Sequence, residues 1–170
     1  MSDPVGEALL RASLHHLREE FLPRLERCVR AMTTEELWWR PNASTVSAGN
    51  LLLHLDGNVR QWILGGRGGR PVTRVRDEEF SATGPVPGEE LLGRLRATLD
   101  VVAVVFGELD PARLAEPRRI QGFDTDGVGI LVHVVEHFSY HTGQVTWRLK
   151  AGKDIVTDYY DEANRDLNVD

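Results

Sequence analysis

The sequence predicts an all-α fold, a four-helix bundle, and three observations support this prediction. Four stretches carry apolar residues at steps of three and four, which is the period of an amphipathic helix. Strand signals are weak and are confined to one short candidate, PVTRV at residues 71–75. The chain has 170 residues and 41 % apolar content, so we expect a single domain, residues 1–170, with a core of ordinary size.

The first predicted helix begins at Asp3-Pro4, because proline at the first helical position has no backbone donor to leave unpaired. Its apolar stripe consists of Leu10, Leu14, Leu17, Phe21, Leu25, Cys28 and Met32. Pro23 lies within the stripe and predicts a kink. Cys28 is the only cysteine, so an intramolecular disulfide is impossible, and we interpret it as a small core residue.

The second helix is predicted from about Ser47 to Leu64, after a short capped turn at residues 33–42 that Pro41 ends. GGRGGRP at residues 65–71 lacks the Lys-Ser/Thr pair of a phosphate-binding loop, and we interpret it as a helix exit. The following connection of about 20 residues could reach roughly 60 Å when extended, whereas a helix of about 18 residues is about 27 Å long. We therefore expect a long crossover between helices 2 and 3, which need not be antiparallel neighbours.

The last two helices are framed by similar signals. The third is predicted to begin near Pro87 and to end at Asp110-Pro111. The fourth is predicted over about residues 127–151, with Gly152 as its cap. The polar tail from Asp154, with its two tyrosines, is expected to pack as a short extension.

Two polar ribbons interrupt otherwise apolar helices. HVVEHFSYHTGQV, residues 133–145, holds half of the six histidines in the chain at a spacing of four, so they share one narrow face. This ribbon consists of His133, His137, His141 and Gln144. A second ribbon, on helix 2, consists of Ser47, Asn50, His54, Asn58 and Gln61. Buried polar groups need partners, so we expect the two ribbons to face each other.

This arrangement predicts a metal site. Two histidines four residues apart can bind one ion from a single helix, and a third from the facing helix completes a three-nitrogen site with an open position. The alternative is a hydrogen-bonded core network with some histidines facing solvent. A further alternative is the inverted zinc-peptidase pattern of HVVEH at residues 133–137, with Glu136 as base. That pattern requires a distant acidic ligand and a larger fold, and only 33 residues follow His137.

The two histidine-containing segments closely resemble the DinB/YfiT-like superfamily. The resemblance extends over NLLLHLDGNVRQW on helix 2, HVVEHFSYHTGQV on helix 4 and ELWWRPN before helix 2. It implies a four-helix bundle that binds one divalent metal ion through His54, His137 and His141. It places His133 one turn outside the triad, as a residue that contacts the ligands or lines the pocket. The final His-x-Gly-Gln signature of the family is present as His141, Gly143 and Gln144.

Several other polar residues are candidates for the surroundings of this site. Asn50, Asn58 and Gln61 either orient the imidazoles or serve as helix caps and hydrogen bonds between helices. Tyr140 and Gln144 are candidates for the pocket. No residue is identified as the catalytic base. Zinc or nickel is the expected metal, three imidazoles also suit iron or copper, and manganese is a further alternative.

The resemblance and the metal chemistry lead to three functional hypotheses. Members of the superfamily include thiol transferases that use bacillithiol or mycothiol, so the first is a metal-dependent thiol S-transferase that acts on small electrophiles with a low-molecular-weight thiol as cosubstrate. The second is a metal-dependent hydrolase, in which the ion activates water. The third is a non-catalytic metal-binding bundle with a role in stress response.

Composition and charge restrict the partners. The net charge is −6 and the sequence pI is about 5.5, so nucleic acid is not an expected partner. MSDPVGEALL lacks the basic start of a signal peptide, and no apolar run approaches the roughly 20 residues of a membrane span. We expect a cytoplasmic protein with a small-molecule substrate. The four tryptophans, interpreted as core or interface residues, suggest a homodimer.

Overall fold

The computed structural model describes residues 3–159 and is mostly helical, with one small sheet. The helices are α1 (Pro4–His15), α2 (Leu22–Arg30), α3 (Thr34–Trp38), α4 (Ala48–Val59), α5 (Arg76–Ser81), α6 (Gly88–Glu108) and α7 (Gly127–Gly152). The strands are β1 (Pro117–Ile120) and β2 (Phe123–Asp126). Two π-helical turns, His16–Phe21 and Arg60–Gly65, extend α1 into α2 and lengthen α4.

The first helical segment contains a defect immediately before Pro23. The segment starts as predicted, with the Asp3 carboxylate accepting hydrogen bonds from the first backbone N–H groups of α1. The wider turn at His16–Phe21 joins α1 to α2, where Pro23 lies in the first turn. Proline has no backbone N–H and crowds the carbonyl four residues earlier, so the regular hydrogen-bond ladder cannot pass through it.

The starts of α3 and α4 are fixed by reciprocal hydrogen bonds. Thr33 and Glu36 form a capping box at α3, and Ser47 and Asn50 form one at α4. Each box satisfies backbone N–H groups that the first helical turn leaves unpaired. The predicted short turn and the predicted start of helix 2 are therefore confirmed. The helical path that begins at α4 ends at Gly65, where the glycine-rich segment begins.

The strand prediction for residues 71–75 is wrong. This segment is irregular and leads into α5, and its Arg74 forms an ion pair with Glu79. Strand pairing occurs elsewhere, in the antiparallel hairpin of β1 and β2. The hairpin turn has positive φ angles at Gln121 and Gly122, 52° and 86°, as the favoured two-residue hairpin turn requires. The hairpin is short and strongly charged, so it lacks the apolar alternation by which strands are predicted.

The core lies between the long helices. α7 contacts α1, α2 and α4, and α6 contacts the same three helices. The largest fully buried side chains of the core include Leu17, Leu25, Leu52, Leu55, Leu92, Leu95, Leu99, Ile130, Leu131 and Phe138. Cys28 is also fully buried, which confirms its predicted place in the core. Among residues 3–159, no helix is both long and apolar enough to cross a membrane.

The chain after α7 returns to this core. The Tyr159 hydroxyl lies 2.8 Å from Cys28 Sγ and 2.8 Å from Thr146 Oγ1. Burial, followed by the contact with Cys28, raises the pKa of Tyr159 well above its usual range. The tail therefore packs as expected up to this residue, whereas Tyr160, the second tyrosine, lies outside the described residues.

Candidate metal centre

The two polar ribbons face each other across α4 and α7. His137 Nε2 lies 2.9 Å from His54 Nε2. One turn along, Asn58 Nδ2 lies 3.3 Å from His133 Nε2. Because Asn58 follows His54 while His133 precedes His137, the two helices run in opposite directions here. The expectation that the ribbons meet is confirmed.

Three histidines converge within this interface. His54, His137 and His141 each offer one ring nitrogen, and these atoms lie within 4.8 Å of one another. The ring centroid of His54 lies 4.9 Å from that of His137 and 5.1 Å from that of His141. His54 and His141 are buried, and His137 is partly buried. The fourth ring, that of His133, lies 5.4 Å from the His137 ring at a tilt of 30° and is outside the cluster.

Hydrogen bonds orient two of these imidazoles from behind. His54 Nδ1 lies 2.8 Å from Glu79 Oε2, and His141 Nδ1 lies 2.7 Å from Gln144 Oε1. Both partners can accept a hydrogen bond from Nδ1, and a ring that carries its proton on Nδ1 has its lone pair on Nε2. In this tautomer the Nε2 atoms of His54 and His141 are available as ligands, and the acceptors fix the ring orientations.

Glu79 is part of a buried ion pair that the sequence did not reveal. Arg74 donates to both carboxylate oxygens, from Nε to Oε1 at 2.6 Å and from Nη2 to Oε2 at 2.8 Å. The side chains of Arg74 and Glu79 are only 7 % and 10 % exposed. Burial alone would raise the pKa of Glu79, but the hydrogen bonds and positive charge of Arg74 and the contact with His54 lower it. The carboxylate therefore stays ionised behind His54.

The backbone of α4 makes room for this ion pair at Gly57. A Cβ atom at this position would lie 2.0 Å from Glu79 Oε1 and 2.8 Å from Arg74 Nε. A glycine in the middle of a helix weakens it, and here it allows the carboxylate to approach the backbone. Glu79 is the single buried residue of α5, and it belongs to an acidic run with Asp77 and Glu78. The sequence contains no periodic signal that would distinguish it from these neighbours.

The electrostatics favour the neutral imidazole at His137 and His141. Burial, together with the charges of the neighbouring histidines, lowers the pKa of His137 to about 3. Burial also lowers the pKa of His141 and that of His133. Neutral rings with free lone pairs are the form in which histidine binds a metal.

The sequence model described as the DinB superfamily matches residues 13–145, which include all three histidines of the cluster. The chain belongs to the DinB superfamily. No curated protein matches it. The matched range also contains Arg74 and Glu79, so the cluster and the ion pair behind it lie within the DinB part of the chain.

The remaining polar residues of the DinB protein lie at different distances from the cluster. Asn50 lies in the cap of α4 and donates to the carbonyls of Glu79 and Ala82, both at 2.8 Å. It thus anchors the backbone that carries Glu79. Gln61 accepts from Arg74 Nη1 at 2.8 Å and so holds the far side of the guanidinium. Neither residue is hydrogen-bonded to the histidines of the cluster.

A second group of contacting side chains, one helical turn from the histidine cluster, consists of Asn58, His133 and Trp62. The rings of Trp62 and His133 lie 4.1 Å apart. Asn58 Oδ1 is buried and has no hydrogen-bond partner among the described residues. A buried acceptor without a partner is costly unless a ligand or water satisfies it. These three residues are therefore candidates for contacting a molecule bound beside the cluster.

Tyr140 and Glu136 lie on the exposed part of α7. Tyr140 is 63 % exposed, its ring lies 5.1 Å from that of His141, and its hydroxyl accepts from Gln144 Nε2 at 3.3 Å. It supports Gln144, which in turn orients His141. Glu136, the base of the inverted zinc-peptidase alternative, is exposed.

The donor set of this DinB protein fits a divalent metal ion. In a tetrahedral site with metal–nitrogen distances of about 2.0–2.1 Å, two nitrogens lie about 3.3 Å apart. The 2.9 Å between His54 Nε2 and His137 Nε2 is shorter by a few tenths of an ångström, so a small opening would accommodate an ion. Within residues 3–159, these histidines are the one group of three or more His, Cys, Asp or Glu side chains spaced for a metal.

Proposed function

We propose that this DinB protein binds one divalent metal ion through His54, His137 and His141. The convergence of three imidazoles, two of which already have Nδ1 bonded to an acceptor, supports this proposal most strongly. His54 Nε2 and His137 Nε2 lie 2.9 Å apart, so without an ion one of them must donate to the other, whereas a metal ion would be bound by the lone pairs of both. Imidazole nitrogen suits zinc and nickel, which we expect first, and also iron or copper, whereas manganese prefers oxygen ligands.

We further infer a four-helix bundle with a crossover between its second and third helices. Asp56 of α4 accepts a hydrogen bond from Thr98 of α6, and Arg70, which follows α4, pairs with Glu108 at the end of α6. Contacts that advance together along both helices indicate that α4 and α6 run in the same direction. Such a pair needs a connection that returns along the bundle.

Three neutral ligands leave the charge of a divalent ion uncompensated, and this favours an anionic partner. An ion bound here would supply the positive charge that holds a thiol in its thiolate form and would leave a position open for it. Both oxygens of Glu79 already accept hydrogen bonds, and Glu136 is exposed. Neither carboxylate is placed as a general base for water, so a thiol nucleophile fits the described residues better.

The function that we propose is therefore thiol S-transfer to a small electrophile. The sulfur of a low-molecular-weight thiol forms a bond to an electrophilic carbon of the substrate, the bond from that carbon to its leaving group breaks, and the thiol proton passes to solvent. Asn58 Oδ1 and His133 lie one turn from the cluster, where they would contact the substrate. The chain's own contribution is to keep His137 and His141 neutral, to orient His54 and His141, and to shield the cluster partly from water.

The cobalt(II) form of the protein tests this proposal. We would titrate it with bacillithiol, mycothiol and glutathione and then add a haloarene, following sulfur-to-cobalt absorption and product formation. We expect an absorption band and turnover with at least one thiol, and we expect His137→Ala to abolish both. His15→Ala is the matched control, because His15 is exposed and lies outside the cluster.

The same experiment distinguishes the alternatives. Cleavage of an ester or amide without a sulfur band would indicate a metal-dependent hydrolase and contradict thiol transfer. Bound cobalt with neither a band nor cleavage would favour a non-catalytic metal-binding protein.

A further inference from the structure

His54 is the one imidazole of the cluster whose second nitrogen faces two charged groups. Its Nδ1 lies 2.8 Å from Glu79 Oε2 and 3.1 Å from Arg74 Nη2. The carboxylate can only accept a hydrogen bond and the guanidinium can only donate one. The two neighbours therefore favour opposite tautomers of the same ring.

The geometry indicates which neighbour prevails. If Nδ1 carries the proton, it donates to Glu79 Oε2, which also accepts from Arg74 Nη2 at 2.8 Å. If Nδ1 carries the lone pair, it accepts from Arg74, but it then faces a carboxylate oxygen at 2.8 Å with no proton between them. The first arrangement puts a proton in the shorter contact and leaves Arg74 Nη2 paired with Glu79 Oε2, although Nη2 then loses Nδ1 as an acceptor at 3.1 Å. The second arrangement opposes the lone pair of Nδ1 to a charged carboxylate oxygen at 2.8 Å in a buried position, which is the greater cost.

We propose that Glu79, held by Arg74, is a positioning residue that keeps the proton of His54 on Nδ1 and its lone pair on Nε2, facing His137 and His141. This inference rests on the proposed metal binding for its functional meaning, although the tautomer itself can be measured without metal. The carboxylate acts through His54 and does not reach the cluster.

Arg74 is held in position by hydrogen bonds that lead to the protein surface. Gln61 Oε1 accepts from Arg74 Nη1 at 2.8 Å and from Gln121 Nε2 at 2.6 Å. Gln121 lies in the turn between β1 and β2. A continuous line of hydrogen bonds thus joins the exposed hairpin to His54, and it passes through the segment between α4 and α6 that carries both Arg74 and Glu79.

Replacing Glu79 by glutamine changes one atom and reverses the preference. The amide has one acceptor oxygen, so it cannot accept from Arg74 at both positions and from His54 as well. If its oxygen keeps the bond from Arg74 Nε, its NH₂ group faces His54 Nδ1. His54 can then remain paired only by accepting there, which moves its proton to Nε2 and removes the lone pair that a metal needs.

The test combines nitrogen-15 NMR of the histidine rings in metal-free protein with zinc affinity measured by competition with a chelator. In the native chain we expect the His54 proton on Nδ1. In Glu79→Gln we expect it on Nε2, with zinc affinity reduced about 10–100-fold, as is typical when a hydrogen-bond partner of a ligand is lost. Glu78→Gln is the matched control, because it makes the same change one residue away at an exposed position of α5, and we expect both quantities to stay unchanged.

Each outcome decides the inference. A native His54 with its proton on Nε2 would overturn it without any variant, so a folding failure of Glu79→Gln does not protect it. An unchanged tautomer in Glu79→Gln, or an equal effect of Glu78→Gln, would also overturn it. A shifted tautomer in a chain that binds no zinc would uphold the role of Glu79 and refute the proposed metal binding.

Discussion

At the scale of single residues, the candidate site depends on the space beside Gly57 and on the side-chain oxygens that accept hydrogen bonds from the imidazoles. The histidines could be predicted from the sequence because their spacing of four is visible in the chain and His54 lies among leucines. Arg74 and Glu79 could not, since Arg74 lies in an irregular segment and Glu79 in the short helix α5, and they are brought to His54 only when α5 packs on α4. Gly57 shows the same limitation, because its role depends on a carboxylate distant in sequence.

We predict that Gly57→Ala weakens metal binding. The new Cβ would lie 2.0 Å from Glu79 Oε1, so the carboxylate must move away from His54. Gly93→Ala is the control, because a Cβ at Gly93 in α6 meets nothing within 4 Å. This control should raise the free energy of unfolding by about 0.5–1 kcal/mol through helix propensity alone.

Zinc titration and thermal melting of both variants check this prediction. Gly57→Ala should lose zinc affinity and gain less stability than Gly93→Ala. Equal stabilisation and equal zinc affinity in the two variants would show that the space at Gly57 is not needed.

At the scale of secondary-structure elements, local signals predicted the helices and failed for the hairpin. Helix starts were predictable because caps depend on neighbouring residues, as Thr33 and Ser47 show. The β1–β2 hairpin depends on positive φ angles at Gln121 and Gly122. It has few apolar residues, so the alternation of apolar and polar residues that predicts a strand is absent. Residues 71–75 have a strand-like composition, but they form an irregular segment in which Arg74 pairs with Glu79 of α5.

We predict that the two capping boxes differ in their importance. Ser47 is buried and its hydroxyl accepts from Asn50 N at 3.1 Å, whereas Thr33 is exposed. Ser47→Ala should therefore lower the free energy of unfolding by about 1–2 kcal/mol, and Thr33→Ala by about 0.5–1 kcal/mol. Chemical denaturation of the two variants measures the difference, and a larger loss in Thr33→Ala would contradict it.

At the scale of the whole molecule, the apolar core and the candidate site are separable. The fully buried leucines, isoleucines and Phe138 extend along the turn His16–Phe21 and along α2, α4, α6 and α7. The histidine cluster occupies one place between α4 and α7. The hydrophobic contribution to stability therefore does not depend on an ion, unlike that of a zinc finger.

We predict that removal of the metal lowers the melting temperature without unfolding the chain. An ion that binds only the folded state stabilises it by mass action, while the core keeps the helices together in its absence. Chelation should leave the helical circular dichroism at room temperature largely intact. Loss of that signal on chelation would show instead that the metal is the main support of the fold.

We also predict a homodimer that uses the surface around Trp39 and Trp147. These side chains are 57 % and 71 % exposed and line one surface cavity of about 440 Å³. Burying two tryptophans would provide a large hydrophobic gain. Trp147→Ser should weaken association in light scattering, whereas Val104→Ser, at an exposed position of α6, should not. A native chain that is monomeric at tens of micromolar would contradict the dimer.

The metal content of untagged protein tests the central claim most directly. Elemental analysis should find about one divalent ion per chain, and His54→Ala, His137→Ala and His141→Ala should each remove it. His133→Ala should reduce binding less, because His133 lies outside the cluster. Full occupancy and unchanged affinity in His54→Ala would contradict a site shared between α4 and α7.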